Sequence, residues 1–299
     1  MIGYGAGVKV HLVDGTYELF RQHFGSANRR SESGREPGEF DATIGVLTST
    51  LQLIEDGATH IGVASDHTIE SFRNDLYDGC KTSEGMLPEL LHQIPIMEDA
   101  LVAMGVTTWK MVEWEADDAL GAAAHVADRD DRVEQVLIVT PDKDLGQCVK
   151  GDRVVQYDRR KREVIDEAGV RAKFGVGPES IPDYLGLVGD TADGFPGIAG
   201  WGAKSAARVL DRYTHLEAIP TEASLWEVDG LRGAAKLSKT LQDDMALALL
   251  FRIIATVDRD VPVGTVDEWQ WRGPTDEFAA FCGRLGVPAL ATRAAALAP

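Results

Sequence analysis

Cysteine is scarce: Cys80, Cys148 and Cys282 are the only three in 299 residues. An odd number at wide spacing supplies neither a disulfide framework nor a four-ligand zinc site, and a reducing compartment fits best. Long apolar runs are missing as well. The longest apolar helical stretch, around Met245 to Val257, is interrupted by Arg252, so no membrane span is expected, and the N-terminus lacks the charged-then-apolar order of a secretory signal. A soluble protein of the cytoplasm is the expectation. Positive charge is short too, with 30 Lys and Arg against 48 Asp and Glu and a formal net charge of -18. Because phosphate contacts come from Lys and Arg, this balance excludes coating of nucleic acid by bulk electrostatics and leaves room only for local patches. Repeats, heptads and low-complexity tracts are absent.

What the sequence does have is alternation. Short apolar runs at Val8–Val13, Ile61–Ala64, Thr107–Val112 and Val136–Val139 are separated by helical patterns, including Ala116–Ala127. This order predicts an α/β fold with a mostly parallel central sheet flanked by helices, over residues 1–165. Two segments break it, Gly25–Gly38 and Arg73–Pro88, and both read as mobile loops, the second a candidate lid. Residues 166–299 read as a helical subdomain of short helices punctuated by glycine and proline, with C-terminal helices packing back on the core.

Several apolar runs end in a carboxylate: Asp14 in HLVD, Asp66 in GVASD and Asp142 in LIVTPD. In a parallel sheet such positions share one edge, where ligands of open α/β sheets bind. Convergent carboxylates repel one another unless a cation lies between them. WEADDAL adds Glu115 and Asp118, three apart on one helix face, with Asp117 beside them at the helix start. TPDKD adds Asp144 two residues after Asp142, and GDTADGFPG places Asp190 and Asp193 in a glycine-flanked turn. Taken singly, an E-x-D-D also caps a helix and Asp–Gly pairs also build turns. Five acidic clusters in this order favour a metal site.

The order VDG, SD, EADD, TPDKD, GDxxDGFPG and GIAGWGAKSA resembles the 5′-nuclease family, which includes flap endonucleases and the 5′-nuclease domain of bacterial type A DNA polymerases. The resemblance covers roughly residues 8–215. It implies a PIN-like nuclease core and a stand-alone 5′-3′ exonuclease and flap endonuclease that hydrolyses DNA phosphodiesters in replication or repair. Asp14, Asp66, Glu115, Asp117 and Asp118 match the family's first metal set, and Asp142, Asp144, Asp190 and Asp193 the second. Asp118 and Asp142 are also assigned a catalytic part. Hard oxygen donors without His or Cys suit Mg²⁺ or Mn²⁺, two or more ions. Arg73 in SFRND and Lys81 in GCKT match the cations that meet the scissile phosphate in a gateway near 73–88, and Arg21 matches another basic position. Gly200, Gly202, Lys204 and Ser205 match a helix-hairpin-helix at about 185–215, with Arg208 beyond it. In the family this turn binds K⁺ and holds duplex backbone without reading sequence. The basic run Arg159–Arg162 has no assigned role. DNA with a 5′ flap, nick or free 5′ end is the implied partner of a monomer, and DNA polymerase and ligase would cooperate in trans.

The sequence departs from the family pattern at four places. Cys80 stands where an aromatic precedes the gateway lysine, Glu84 where an arginine follows it, Gly194 where asparagine is usual, and Glu113 adds an acid before Glu115. Two other readings use the same acids: a PIN-type ribonuclease, and an inactive DNA-junction binding module in which the carboxylates hold a structural ion.

Overall fold

The computed structural model describes residues 7–33 and 38–299, with side chains described for 7–25 and 38–299. In chain order the first elements are β1 (Val8–Asp14), α1 (Gly15–Ser33), α2 (Asp41–Glu55), β2 (His60–Asp66), α3 (Arg73–Leu76), α4 (Pro88–Ala103), β3 (Thr107–Met111), α5 (Ala116–Asp128) and β4 (Val133–Val139). They continue with β5 (Val154–Asp158), β6 (Glu163–Ile165), α6 (Glu167–Phe174), α7 (Ile181–Val188), α8 (Ala203–Tyr213), α9 (Ala234–Asp243), α10 (Met245–Ala255), α11 (Phe278–Arg284) and α12 (Pro288–Leu297).

The chain forms two compact units, Met1–Ile69 with Ser83–Thr140 and Arg259–Pro299, and Glu70–Thr82 with Pro141–Asp258. In the first unit β3, β2, β1 and β4 lie side by side, all parallel. The inner strands β1 and β2 suit burial on both faces, and β2 is buried along its whole length, whereas β3, TTWKM, is only partly buried. Parallel register places Asp14 opposite Ala64 and Asp66 opposite Met111, so the acids that end β1 and β2 sit at the same sheet edge. The last segment belongs to this unit: Trp109 and Trp269 both donate to the Val263 carbonyl, and Trp271 donates to that of Met104.

The second unit has its own core, in which Ile165, Val170, Ile181, Leu185, Phe195, Val209 and Phe251 are buried together. Its strands β5 and β6 form an antiparallel hairpin whose turn carries Arg159–Arg162. The sequence places the domain boundary after residue 165, whereas the contacts divide the chain after Thr140. The difference arises because Ile165, at the end of the hairpin, packs into the core of the helical unit. The loop expected over Gly25–Gly38 is also revised. Helix α1 continues through Gly25 to Ser33, a glycine inside a helix being a tolerable cost of about 1 kcal/mol; residues 34–37 lie outside the described residues. The Arg73–Pro88 segment opens on the short helix α3 and continues in turns up to α4.

Candidate metal centre

The acids of the first unit are individually anchored. Asp14 Oδ1 accepts from the Tyr17 amide at 2.8 Å in the first turn of α1, and its Oδ2 accepts from Thr140 Oγ1 at 3.1 Å. Asp66 Oδ1 accepts from the Ala116 amide at 2.8 Å, while the Asp66 amide donates to Thr16 Oγ1 at 2.8 Å. Glu115 is the N-cap of α5, and its amide donates to Asp118 Oδ2 at 2.9 Å. The helix dipole favours acids at this end. Asp118 is fully buried and Asp117 half-buried.

A residue the sequence did not mark holds this edge. Glu98, on α4 and fully buried, accepts from Ser65 Oγ and pairs with His67 Nδ1, both at 2.7 Å. One carboxylate thereby clamps the residues on either side of Asp66, the kind of outer-shell support that orients ligands.

In the second unit the acids are brought together. Asp144, Asp190 and Asp193 present oxygens that all lie within 4.8 Å of one another, the one such group of potential ligands among the described residues. Asp144 begins a short 3₁₀ turn, Asp144–Cys148. The loop is fixed by two glutamines absent from the sequence reading. Gln147 Nε2 donates to the carbonyls of Asp144 and Ala255, both at 2.8 Å, and Gln156 Nε2 donates to the Asp142 carbonyl at 2.5 Å. Asp190 closes a turn in which its amide donates to the Phe195 carbonyl and the Phe195 amide donates back.

Electrostatics here are strained. Burial pushes the Asp144 carboxyl well above the ordinary carboxylate range, and Asp142, Asp193 and Asp190 push the same way. Asp142 faces solvent on one side, yet the protein around its carboxyl, with Asp193 and Asp190, raises its pKa too. Asp144 Oδ1 is buried and receives no hydrogen bond, which is costly for a carboxylate unless a cation meets it. Two lysines approach: Lys143 Nζ lies 2.5 Å from Asp190 Oδ2, and Lys81 Nζ 3.4 Å from Asp193 Oδ1. Burial disfavours the Lys143 ammonium, but the hydrogen bond and charge of Asp190 outweigh it and raise its pKa.

Other expected contact residues are placed unevenly. Lys81 is half-buried, and its amide donates to the Asp193 carbonyl at 3.0 Å, which docks this loop on the acidic turn. Arg73 differs from the expectation of a phosphate-facing cation. It is buried, and its Nε and Nη2 donate to the carbonyls of Ile254 and Thr256 at 2.8 and 2.9 Å, because α10 ends in carbonyls that need donors. Cys80 is buried too and donates to the Arg73 carbonyl, so it is a core residue and not a base-stacking one. Arg21 donates twice to the buried Glu18, at 3.0 and 2.6 Å. Gly200, at φ 86° with open space around it, and exposed Gly202 lead into α8. Ser205 Oγ accepts from the Gly202 amide at 3.0 Å, Lys204 is exposed, and Arg208 Nη1 donates to the Gly230 carbonyl at 2.8 Å.

Comparison with known proteins agrees with this architecture. Residues 9–175 match the model of the 5′-3′ exonuclease N-terminal resolvase-like domain, and residues 176–277 that of the 5′-3′ exonuclease C-terminal SAM fold. A 5′-3′ exonuclease of Buchnera aphidicola is 25% identical over 85% of this chain and 88% of its own length. DNA polymerase I of Mycobacterium tuberculosis is 31% identical over 84% of this chain, which spans only 27% of that relative. Among solved structures, a bacteriophage T5 5′-exonuclease with bound zinc has a TM-score of 0.61 at 16% identity, over 97% of this chain and 98% of that one. The catalytic core of Rad2 in complex with DNA substrate has a TM-score of 0.62 at 15% identity, over 97% and 92%. At these identities the structural likeness shows the fold; the two family models, which together run from residue 9 to 277, show that the chain belongs to the 5′-3′ exonuclease family.

Proposed function

We propose that this chain is a structure-specific 5′-nuclease that trims DNA from a 5′ end and cuts 5′ flaps, using Mg²⁺ or Mn²⁺. The observation that carries the reading is the Asp144, Asp190 and Asp193 group with its unpartnered buried Asp144 oxygen. The donor set fits a hard divalent ion, since every candidate ligand is a carboxylate. Asp142 completes this set, and Asp14, Asp66, Glu115, Asp117 and Asp118 form the set of the first unit. An ion so held supplies a water of lowered pKa and offsets charge on phosphate oxygens.

The chain's own residues then have distinct parts. Lys81, fixed beside Asp193, meets the phosphate to be cut. The turn through Gly200 and Gly202, with Lys204, Ser205 and Arg208, holds duplex backbone by amides and charge without reading bases, and is a candidate K⁺ site. Arg21 is a further backbone contact, whereas Arg73 holds the gateway to α10. Replication or repair in the cytoplasm, as a monomer acting beside a polymerase and a ligase, belongs to the same proposal. The match over residues 176–277 lies outside what a PIN-type ribonuclease accounts for.

The test is cleavage of a 5′-labelled DNA flap with Mg²⁺, Mn²⁺ or chelator, for the wild type, Asp142→Asn and Asp193→Asn. Metal-dependent cutting near the junction, reduced at least ~100-fold in both variants, is the expected result. Junction binding with no product in any metal overturns it.

A further inference from the structure

We propose that Lys143 is a resident counter-cation of the second acidic group, bound to Asp190 in the metal-free protein and exchanged for the divalent ion when that ion binds. The inference rests on the metal-centre reading and concerns what that centre must release. Asp190 is 2% exposed, and both of its oxygens are engaged: Oδ1 accepts from the Ala192 amide at 2.9 Å, and Oδ2 takes Lys143 Nζ at 2.5 Å. A divalent ion ligated by Oδ2 therefore meets a like charge at the same atom, in a crevice where Coulomb forces are only partly screened.

The other cations nearby are placed differently. Lys81 Nζ pairs with Asp193 Oδ1 at 3.4 Å, and Lys173 Nζ is directed to the Pro141 carbonyl at 3.5 Å. The Lys143–Asp190 contact, at 2.5 Å, is shorter than that of Lys81 with Asp193, at 3.4 Å. Its side chain is 35% exposed, so a four-carbon stem carrying a compact charge has solvent into which it can swing. The contact also neutralises one acid of a group whose members repel one another, which gives the metal-free protein a reason to hold it. The consequence is a centre whose ion affinity is set lower than its carboxylates alone provide.

Two measurements on the full chain test this, with Mn²⁺ as the probe. Lysine acylation under limiting reagent, mapped by mass spectrometry, should rise several-fold at Lys143 on saturation with Mn²⁺ while Lys161 stays constant. Calorimetric titration should show Lys143→Met binding Mn²⁺ about 5-fold or more tighter than wild type, the lower end of ordinary coupling between sites. Unchanged or reduced acylation at Lys143 with Mn²⁺ bound overturns the exchange, as does a Lys143→Met affinity equal to or weaker than wild type. Should that variant fail to fold, the acylation of the wild type decides alone. Asp190→Asn separates the two levels: if it binds Mn²⁺ as the wild type does, the metal-centre reading itself fails.

Discussion

Asp144 and Arg73 are both almost wholly buried ionisable residues, and the protein treats them in opposite ways. Arg73 is given carbonyl partners at the end of α10; Asp144 has one oxygen with none. Because the folded pKa of Asp144 lies above its unfolded value, stability without metal is complete below the unfolded pKa of about 4 and declines as pH rises toward and through the folded value. Asp144→Asn should therefore melt a few degrees higher than wild type in chelator at neutral pH, with the gap narrowing toward about pH 4. A melting series across pH checks it, and a lower melting point at neutral pH would count against it. Arg73→Met should lose about 2 to 4 kcal/mol in urea unfolding, since it strands buried carbonyls. The sequence marked Arg73 but not its role, because Ile254 and Thr256 are 181 and 183 positions away. Gln147 and Glu98 were silent for the same reason: Ala255 and Ser65 are remote in sequence, and an isolated Gln or Glu carries no pattern.

At the scale of elements, the acidic turn and the gateway loop are fitted to each other. A Cβ on Gly194, which has φ 90°, would lie 1.9 Å from the Gly79 carbonyl oxygen. This accounts for the departure from asparagine: any side chain at 194 requires the 77–81 loop to retreat, and with it the Lys81 amide bonded to Asp193. Gly194→Ala should cost at least ~2 kcal/mol and raise amide hydrogen exchange across residues 77–82 while leaving β1 and β2 protected. Uniform exchange would contradict the docking. Strand ends were the most legible part of the fold, because Val- and Ile-rich runs stopping at Asp14 and Asp66 state both the strand and its polar edge. The continuation of α1 through Gly25 was not legible, since glycine and serine there weigh against helix on propensity alone. A hairpin beside the basic run Arg159–Arg162 was legible, and β5 and β6 form it around that run.

For the whole molecule, charge sets the terms of DNA binding. A chain at -18 repels a polyanion everywhere except at a few basic points, so affinity should depend on salt weakly for a nuclease of its size. Binding to a nicked duplex in Ca²⁺ should give a log K against log salt slope of about −3 to −4, and Lys204→Ala should reduce its magnitude by about 0.9. A slope beyond about −7 would mean a continuous basic surface that this composition does not provide. The α/β unit, finally, is interrupted in sequence: its third segment, Arg259–Pro299, follows the whole of Pro141–Asp258. The indoles of Trp269 and Trp271, which bond to the Val263 and Met104 carbonyls, thus leave the ribosome only after Pro141–Asp258. The sheet is begun before the second unit and its packing is completed after it, so the nascent chain must carry an open apolar seam through the making of Pro141–Asp258.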